Sequence, residues 1–172
     1  ELLEISVETT DVLCNGDATG TATYNVTGGT LPYDIVDEFN LSAGSYTTTV
    51  TDENGCVADV TFDINEPELL EISVETTDVL CNGDTIGSAV YTVSGGTPPY
   101  SEVLDEFNLS AGTYTTTVTD SLGCVADVTF EITEPELLEI SVEITDVLCN
   151  GDTTGSVEYT VTGGTPSYSE VL

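Results

Sequence analysis

Lysine, arginine and histidine are absent from these 172 residues, while aspartate and glutamate together number 32, for a formal charge of −32 at pH 7. Methionine, tryptophan and glutamine are missing as well. Ordinary chains have roughly a quarter of their residues charged, with both signs represented. A chain with no cation at all is therefore specialised, highly repetitive, or one window of something longer.

Each absence excludes a class of function. Without Lys or Arg nothing can displace the counterions of a phosphate backbone, which removes nucleic-acid binding. Attraction to anionic lipid fails for the same reason. Without His or Lys, the Ser-His-Asp, Cys-His and lysine-nucleophile schemes cannot be assembled. Carboxylate-pair and oxygen-ligated metal chemistry survive as catalytic options. No apolar run approaches the roughly 18 residues of a membrane span, so no membrane insertion is expected. No basic n-region marks a signal peptide, and the chain is expected to begin after processing or inside a larger one. Disorder is not the reading either, because 39% of residues are apolar and they are patterned.

The dominant feature is self-similarity. ELLEISVETTDVLCNGD at 1–17 returns unchanged at 68–84, and again at 136–152 with Ile144 in place of Thr. DEFNLSAG at 37–44 recurs at 105–112, and GCVADVTF at 55–62 recurs at 123–130. The chain thus divides into repeat 1 at 1–67, repeat 2 at 68–135 and a partial repeat 3 at 136–172. The third has strands for about half a module. It is expected to continue in further chain or to be completed by a neighbour, and in the latter case strand donation would polymerise the protein.

Within a repeat the apolar period is two. Leu3, Ile5 and Val7 alternate with Glu4, Ser6 and Glu8; Ala22, Tyr24 and Val26 form a second set; Tyr46, Thr48 and Val50 a third; Cys56, Ala58, Val60, Phe62 and Ile64 a fourth. Comparing the copies sharpens the inward assignment. Thr23 becomes Val90 and Glu158, while Tyr24 stays Tyr91 and Tyr159. Four to seven half-buried strands per repeat predict an all-β fold of tandem antiparallel β-sandwiches. Gly28-Gly29 and its copies force turns, and Asp52-Glu53-Asn54-Gly55 reads as a hairpin. Asn65-Glu66-Pro67 and Thr133-Glu134-Pro135 read as short, stiff joints, which strung between near-identical modules predict a rod.

A module of this size is marginal unless stapled. Cys14 and Cys56 stand 42 residues apart, Cys81 and Cys124 stand 43 apart, and each pair recurs at the same repeat positions. These predict one disulfide inside each repeat, worth roughly 4 kcal/mol in the chain-entropy model, with the mate of Cys149 past the last residue. Such bonds imply an oxidising, extracellular setting. Left reduced, the same residues would be small buried apolar groups, and Cys56 lies on the core-facing set. Two cysteines without histidine make only half a zinc site.

Hard oxygens suited to calcium are offered by Asp17, Asp52, Glu53, Glu66 and Glu68, and in the second repeat by Asp120, Glu134 and Glu136. No D-x-[DN]-x-[DN]-G loop is present, and the simpler role for Asp52 and Asp120 is to accept backbone bonds in a turn. Calcium is the one cofactor worth expecting, because so much self-repulsion calls for screening. A catalytic carboxylate pair is not expected, since every acidic position recurs along the chain, and the protein is read as no enzyme. Asn25, Asn40 and Asn108 stand in N-x-[ST] sequons. Tyr33, Tyr100 and Tyr168 either plug the end of a core or form an exposed aromatic ladder for sugars.

The order of a strand, L-C-N-G-D, G-x-A-x-Y-x-V-x-G-G-T-x-P-Y, L-S-A-G-x-Y-x-x-x-V-T-D-x-x-G-C and a closing E-P resembles the SprB repeat of giant cell-surface adhesins of gliding Bacteroidota. Cys14, Gly28-Gly29, Pro32-Tyr33, Gly44, Tyr46, Asp52 and Gly55-Cys56 carry the resemblance. It implies an immunoglobulin-like sandwich, secretion, and service as a surface filament in adhesion or gliding. The family usually has a Trp and an Asn-Gly turn after P-Y; here only DIVDEFN or SEVLDEFN intervenes, so one strand or hairpin is shortened. O-glycosylation at D-[ST]-x sites in that phylum would fall on Thr85, Ser121 and Thr153.

The reading is then a structural stalk or filament segment of an extracellular, cell-surface adhesin. Its expected partners are neighbouring copies of itself and a surface glycan or protein ligand. The alternative is a calcium-dependent carbohydrate- or protein-binding repeat module.

Overall fold

The computed structural model describes residues 1–169. Its described residues form twelve strands and no helix: β1 (Glu4–Thr10), β2 (Gly20–Thr27), β3 (Glu38–Leu41), β4 (Gly44–Thr51), β5 (Val57–Ile64), β6 (Glu71–Thr77), β7 (Gly87–Ser94), β8 (Glu106–Leu109), β9 (Gly112–Thr119), β10 (Val125–Ile132), β11 (Glu139–Thr145) and β12 (Ser156–Thr162). They assemble into small antiparallel sheets in the orders β1-β2-β3, β4-β5, β6-β7-β8, β10-β9 and β11-β12. The expected all-β, sandwich-type repeat is what is found, with five strands in each of the first two repeats.

Two compact units divide the chain, and they cut across the sequence repeats. One comprises Glu1–Ile72, Val93–Glu102 and Thr117–Asp127; the other comprises Ser73–Thr92, Val103–Thr116 and Val128–Leu172. The first therefore holds all of repeat 1 together with the Gly95-Gly96 turn and the β9–β10 hairpin end of repeat 2.

In the first unit, β1 pairs with β2 from Glu4↔Thr27 to Thr10↔Thr21, which puts Ile5 opposite Val26 and Val7 opposite Tyr24. β4 pairs with β5 from Gly44↔Ile64 to Thr51↔Val57. The inward rows of the two sheets meet in a core of Val12, Ala22, Phe62 and Ile64, flanked by Val7, Tyr24, Leu41, Tyr46 and Val60. Tyr46 stacks on Phe62 at 5.6 Å between ring centroids, and Tyr24 meets it edge-on at 6.0 Å. Each such buried side chain contributes roughly 1.5–3 kcal/mol, which is how a module this small closes on itself. Thr48, an inward residue of the alternating set, is satisfied by Tyr24 Oη at 2.8 Å and donates to Glu38 Oε1 at 3.2 Å.

One irregularity was not anticipated. Gly20 pairs with Leu41 but Thr21 pairs with Phe39, so Asn40 is the extra residue of a β-bulge. It sits at φ 60°, a left-handed conformation that Asn tolerates better than most residues. Gly20 pairs beside the bulge, where a Cβ would lie 2.7 Å from Ile64 Cγ2 and 2.9 Å from Leu41 O.

The second unit repeats the design. Val79, Ala89, Phe130 and Ile132 form its core, with Val74, Tyr91, Leu109 and Tyr114 packed on them. Asn108 takes the bulge position at φ 62°. Repeat 3 contributes β11 and β12, paired from Glu139↔Thr162 to Thr145↔Ser156 in the register of β1 and β2. No facing sheet covers them among the described residues. The inward row is consequently open, with Ile140 70% and Val142 54% exposed. Residues 170–172, the end of the repeat 3 boundary read from sequence, lie outside the described residues.

The intra-repeat disulfides expected from the spacing are not formed. Cys14 bonds Cys124, while Cys56, Cys81 and Cys149 carry free, exposed thiols. The reason is strand length. Cys56 directly precedes β5, whereas the backbone of Val12, two residues before Cys14, bonds Asn65 O just after β5 ends. Eight strand residues separate those ends by roughly 25 Å, far beyond the ~7 Å Cα separation a disulfide can span. Cys56 is likewise not core-facing: it lies in the turn before β5 and is exposed.

Candidate functional site

The site is a joint between repeats, built entirely within the first compact unit. Its lower wall is the β1–β2 loop carrying Cys14. That loop closes through Asp17 N–H to Cys14 O at 3.1 Å and Leu13 N–H to Thr19 Oγ1 at 2.8 Å. It is clamped to the joint by two further bonds, from Asn15 Nδ2 to Pro67 O at 3.0 Å and from Gly16 N–H to Glu66 Oε2 at 2.6 Å. The Glu-Pro joint is thus tied down rather than merely stiff, and the acidic residue of the sequence pattern spends its oxygen on a backbone donor.

The upper wall is the Gly95-Gly96 turn and the β9–β10 hairpin. Gly96 N–H donates to Glu68 O at 2.9 Å. Gly95 sits at φ +67°, where a Cβ would fall 1.8 Å from Leu69 O, so only glycine permits this approach. Tyr100 Oη donates to Gly95 O at 2.6 Å and locks the turn. Tyr33 makes the same bond to Gly28 O, and Tyr168 to Gly163 O. The three tyrosines therefore brace their own Gly-Gly turns, which is closer to the core-end plug than to a sugar ladder.

Asp120 is the organising residue of the hairpin. Only 6% exposed, it accepts Thr97 N–H on Oδ2 at 2.8 Å, and Leu122 and Cys124 N–H on Oδ1 at 2.9 Å each. Burial alone would push its carboxyl up, but the backbone N–H groups of Thr97, Cys124, Leu122 and Gly123 outweigh that and hold it below the ordinary aspartate value. Asp52 does the same in repeat 1: the Cys56 N–H, with those of Thr30 and Asn54 and against burial, draws its carboxyl down. Asp78 is also lowered, by the Thr133 N–H at 2.7 Å.

Between the walls runs the covalent link. Cys14 and Cys124 are 110 residues apart in sequence with Cα atoms 5.6 Å apart. Cys124 is 9% exposed, whereas its counterpart Cys56 is exposed. Beside the bond lies a cleft of about 280 Å³ lined by Asn15, Asp17, Glu68, Leu69, Gly96 and Val125, among others.

The sequence-derived carboxylates are dispersed. Glu66 and Glu134 clamp loop N–H groups of Gly16 and Gly83. Glu68 and Glu136 use their backbone carbonyls, toward Gly96 and Gly164. Glu53 donates its N–H to Thr30 O, and Asp17 its own to Cys14 O. Among the described residues no three His, Cys, Asp or Glu side chains come together as a metal site. Of the hydroxyls read as glycosylation sites, Thr85 and Thr153 are exposed, and Ser121 Oγ donates to Thr97 O at 2.8 Å.

Fold and joint together define a class: tandem all-β modules fastened to one another at their ends. The SprB repeat family model matches residues 6–36, 73–101 and 141–169, together just over half of the chain. The chain belongs to the SprB repeat family. SprB repeats occur in cell-surface gliding adhesins, and the family is a structural repeat rather than an enzyme family. No curated protein and no solved structure matches the chain significantly. No helix among the described residues is long and apolar enough to cross a membrane.

Proposed function

We propose that this chain is a stretch of stalk in an extracellular, cell-surface adhesin, without catalytic activity, transmitting tension between the cell and whatever the adhesin holds. The observation that carries the reading is the disulfide from one repeat to the next, Cys14 to Cys124. A single binding module gains nothing from being welded to its neighbour; a tension-carrying string does. The bond lets force pass from Cys14 to Cys124 without stretching the residues between them. It also closes a loop of 110 residues, worth about 5 kcal/mol in the chain-entropy model. The uniform charge of −32 keeps near-identical strings from clumping side by side.

Electron microscopy of the purified chain tests this reading. Elongated particles, unchanged by calcium chelation and without saturable retention on glycan arrays, are the expected result. Compact particles with calcium-dependent glycan retention would favour the alternative, a carbohydrate- or protein-binding repeat. That alternative draws on the cleft beside Asp17 and Glu68.

A further inference from the structure

We propose that the Cys14–Cys124 bond is one rung of a ladder, in which the loop cysteine of each module is joined to the hairpin cysteine of the module that follows it in the chain. Cys81 is then a cross-linking site for the D-x-x-G-C hairpin of the next module, and Cys149 the same site one module further on. Cys56 is a site for the L-C-N-G-D loop of a module ahead of it.

The repeated geometry carries the inference. Cys81 sits in the same closed loop as Cys14, with Asp84 N–H on Cys81 O at 3.1 Å. The same two clamps hold that loop to its joint, from Asn82 Nδ2 to Pro135 O at 3.1 Å and from Gly83 N–H to Glu134 Oε2 at 2.7 Å. The start of the next module is seated alike, with Gly164 N–H on Glu136 O at 2.7 Å where Gly96 N–H meets Glu68 O at 2.9 Å. Gly163 approaches Leu137 O as Gly95 approaches Leu69 O, with a Cβ falling at 1.9 Å against 1.8 Å. On the hairpin side, Cys56 N–H is held by Asp52 Oδ1 at 2.8 Å as Cys124 N–H is by Asp120 Oδ1 at 2.9 Å. The Cys14 loop's clamps and the seat of the next module are therefore repeated around the exposed thiol of Cys81, with Ile86 standing where Thr19 accepts the Leu13 N–H in repeat 1. The Asp-held hairpin is repeated around the exposed thiol of Cys56. The independent sign that these positions bond is that their equivalents do.

Each rung forms by thiol–disulfide exchange with a low-molecular-weight disulfide such as oxidised glutathione. Two cysteine thiols lose two protons and two electrons and become one S–S bond, and the donor disulfide is reduced to two thiols. The resulting loops interleave, because Cys81 lies inside the Cys14–Cys124 span and bonds outside it. Tension on an unfolded ladder would run from Cys14 to Cys124, along 25 residues to Cys149, and across the next rung. That path allows roughly 90 Å of extension per two modules, against roughly 480 Å for the same chain unlinked. The ladder concerns covalent connectivity and holds whether or not the chain serves at a cell surface.

The test supplies the next hairpin. Repeat 3 ends its sequence in SEVL as repeat 2 does before Asp105, so a copy of residues 105–135 is appended after Leu172, carrying Thr113→Ser (the residue repeat 1 has at Ser45) so that its cysteine fragment has a mass of its own. The extended chain is oxidised with glutathione, digested without reduction by a glutamyl endopeptidase and mapped by mass spectrometry. The expected new link joins Cys81 to the appended cysteine, alongside Cys14–Cys124. A link from Cys149 to the appended cysteine, a covalent dimer through Cys81, or a free appended thiol beside a closed Cys14–Cys124 bond would each overturn the ladder. Should the extension not fold, the unextended Cys124→Ser chain decides: Cys14 is expected to stay free, and a Cys14–Cys56 bond would refute the module-to-module rule.

Discussion

The carboxylate of Asp120 accepts the backbone N–H of Cys124 at 2.9 Å, so the residue that shapes the hairpin also aims the sulfur that fastens the joint. Asp120→Asn keeps one acceptor but turns an NH₂ toward the Thr97 N–H, setting donor against donor. It is expected to lower the melting temperature by several degrees and to slow closure of Cys14–Cys124 on oxidative refolding. Thermal denaturation and timed thiol counting check both.

The same carboxylates set an acid limit. Asp52 and Asp120 titrate below the ordinary 3.8 in the folded chain. A depressed folded pKa stabilises above the unfolded value and is lost as pH falls through the folded one. The general charge acts oppositely, since neutralising exposed Asp and Glu relieves repulsion. Stability is therefore expected to rise with salt at pH 7, to rise on acidification toward about pH 4.5, and to fall once the pH drops below 3.8. Calorimetry across pH and salt reads this directly; a monotonic decline from pH 7 would contradict it.

Two glycines separate backbone conformation from contact. Gly83 sits at φ +82° with nothing within 4 Å of a built Cβ, and Gly95 sits at φ +67° with Leu69 O at 1.8 Å. Gly83→Ala is expected to cost about 1–2 kcal/mol, the ordinary left-handed penalty. Gly95→Ala should cost markedly more and loosen the joint. Urea titration of the two variants measures the gap.

Force spectroscopy tests the shielding of chain by the joint. With the disulfide intact, the 110 residues it spans stay off the tension path. Reduction should lengthen the fully extended chain by roughly 380 Å. An unchanged contour length would mean that the two repeats are not bridged.

Much of this was legible from residue order. The alternation of Leu3, Ile5 and Val7 or of Val60, Phe62 and Ile64 placed the inward rows, because a strand's side chains must alternate and only one face is covered. The turn role of Asp52 and Asp120 was readable for the same local reason. The Asn40 bulge was not, although an Asn where the strand must fit an extra residue was its trace. The cysteine partners were missed because recurrence identifies equivalent positions without saying which end of a module they occupy. Counting the eight residues of β5 between Cys56 and the joint would have separated the two ends. Glu66, expected as a calcium ligand, also holds the N–H of Gly16, a clamp that residue order did not reveal.

Glutamyl endopeptidase places each of the five cysteines in its own fragment, so mass spectrometry of the unreduced digest is the most direct measurement. The expected species is residues 9–38 linked to residues 107–131, carrying Cys14 and Cys124. Residues 9–38 linked instead to residues 54–68, carrying Cys56, would show modules stapled within themselves and contradict the account.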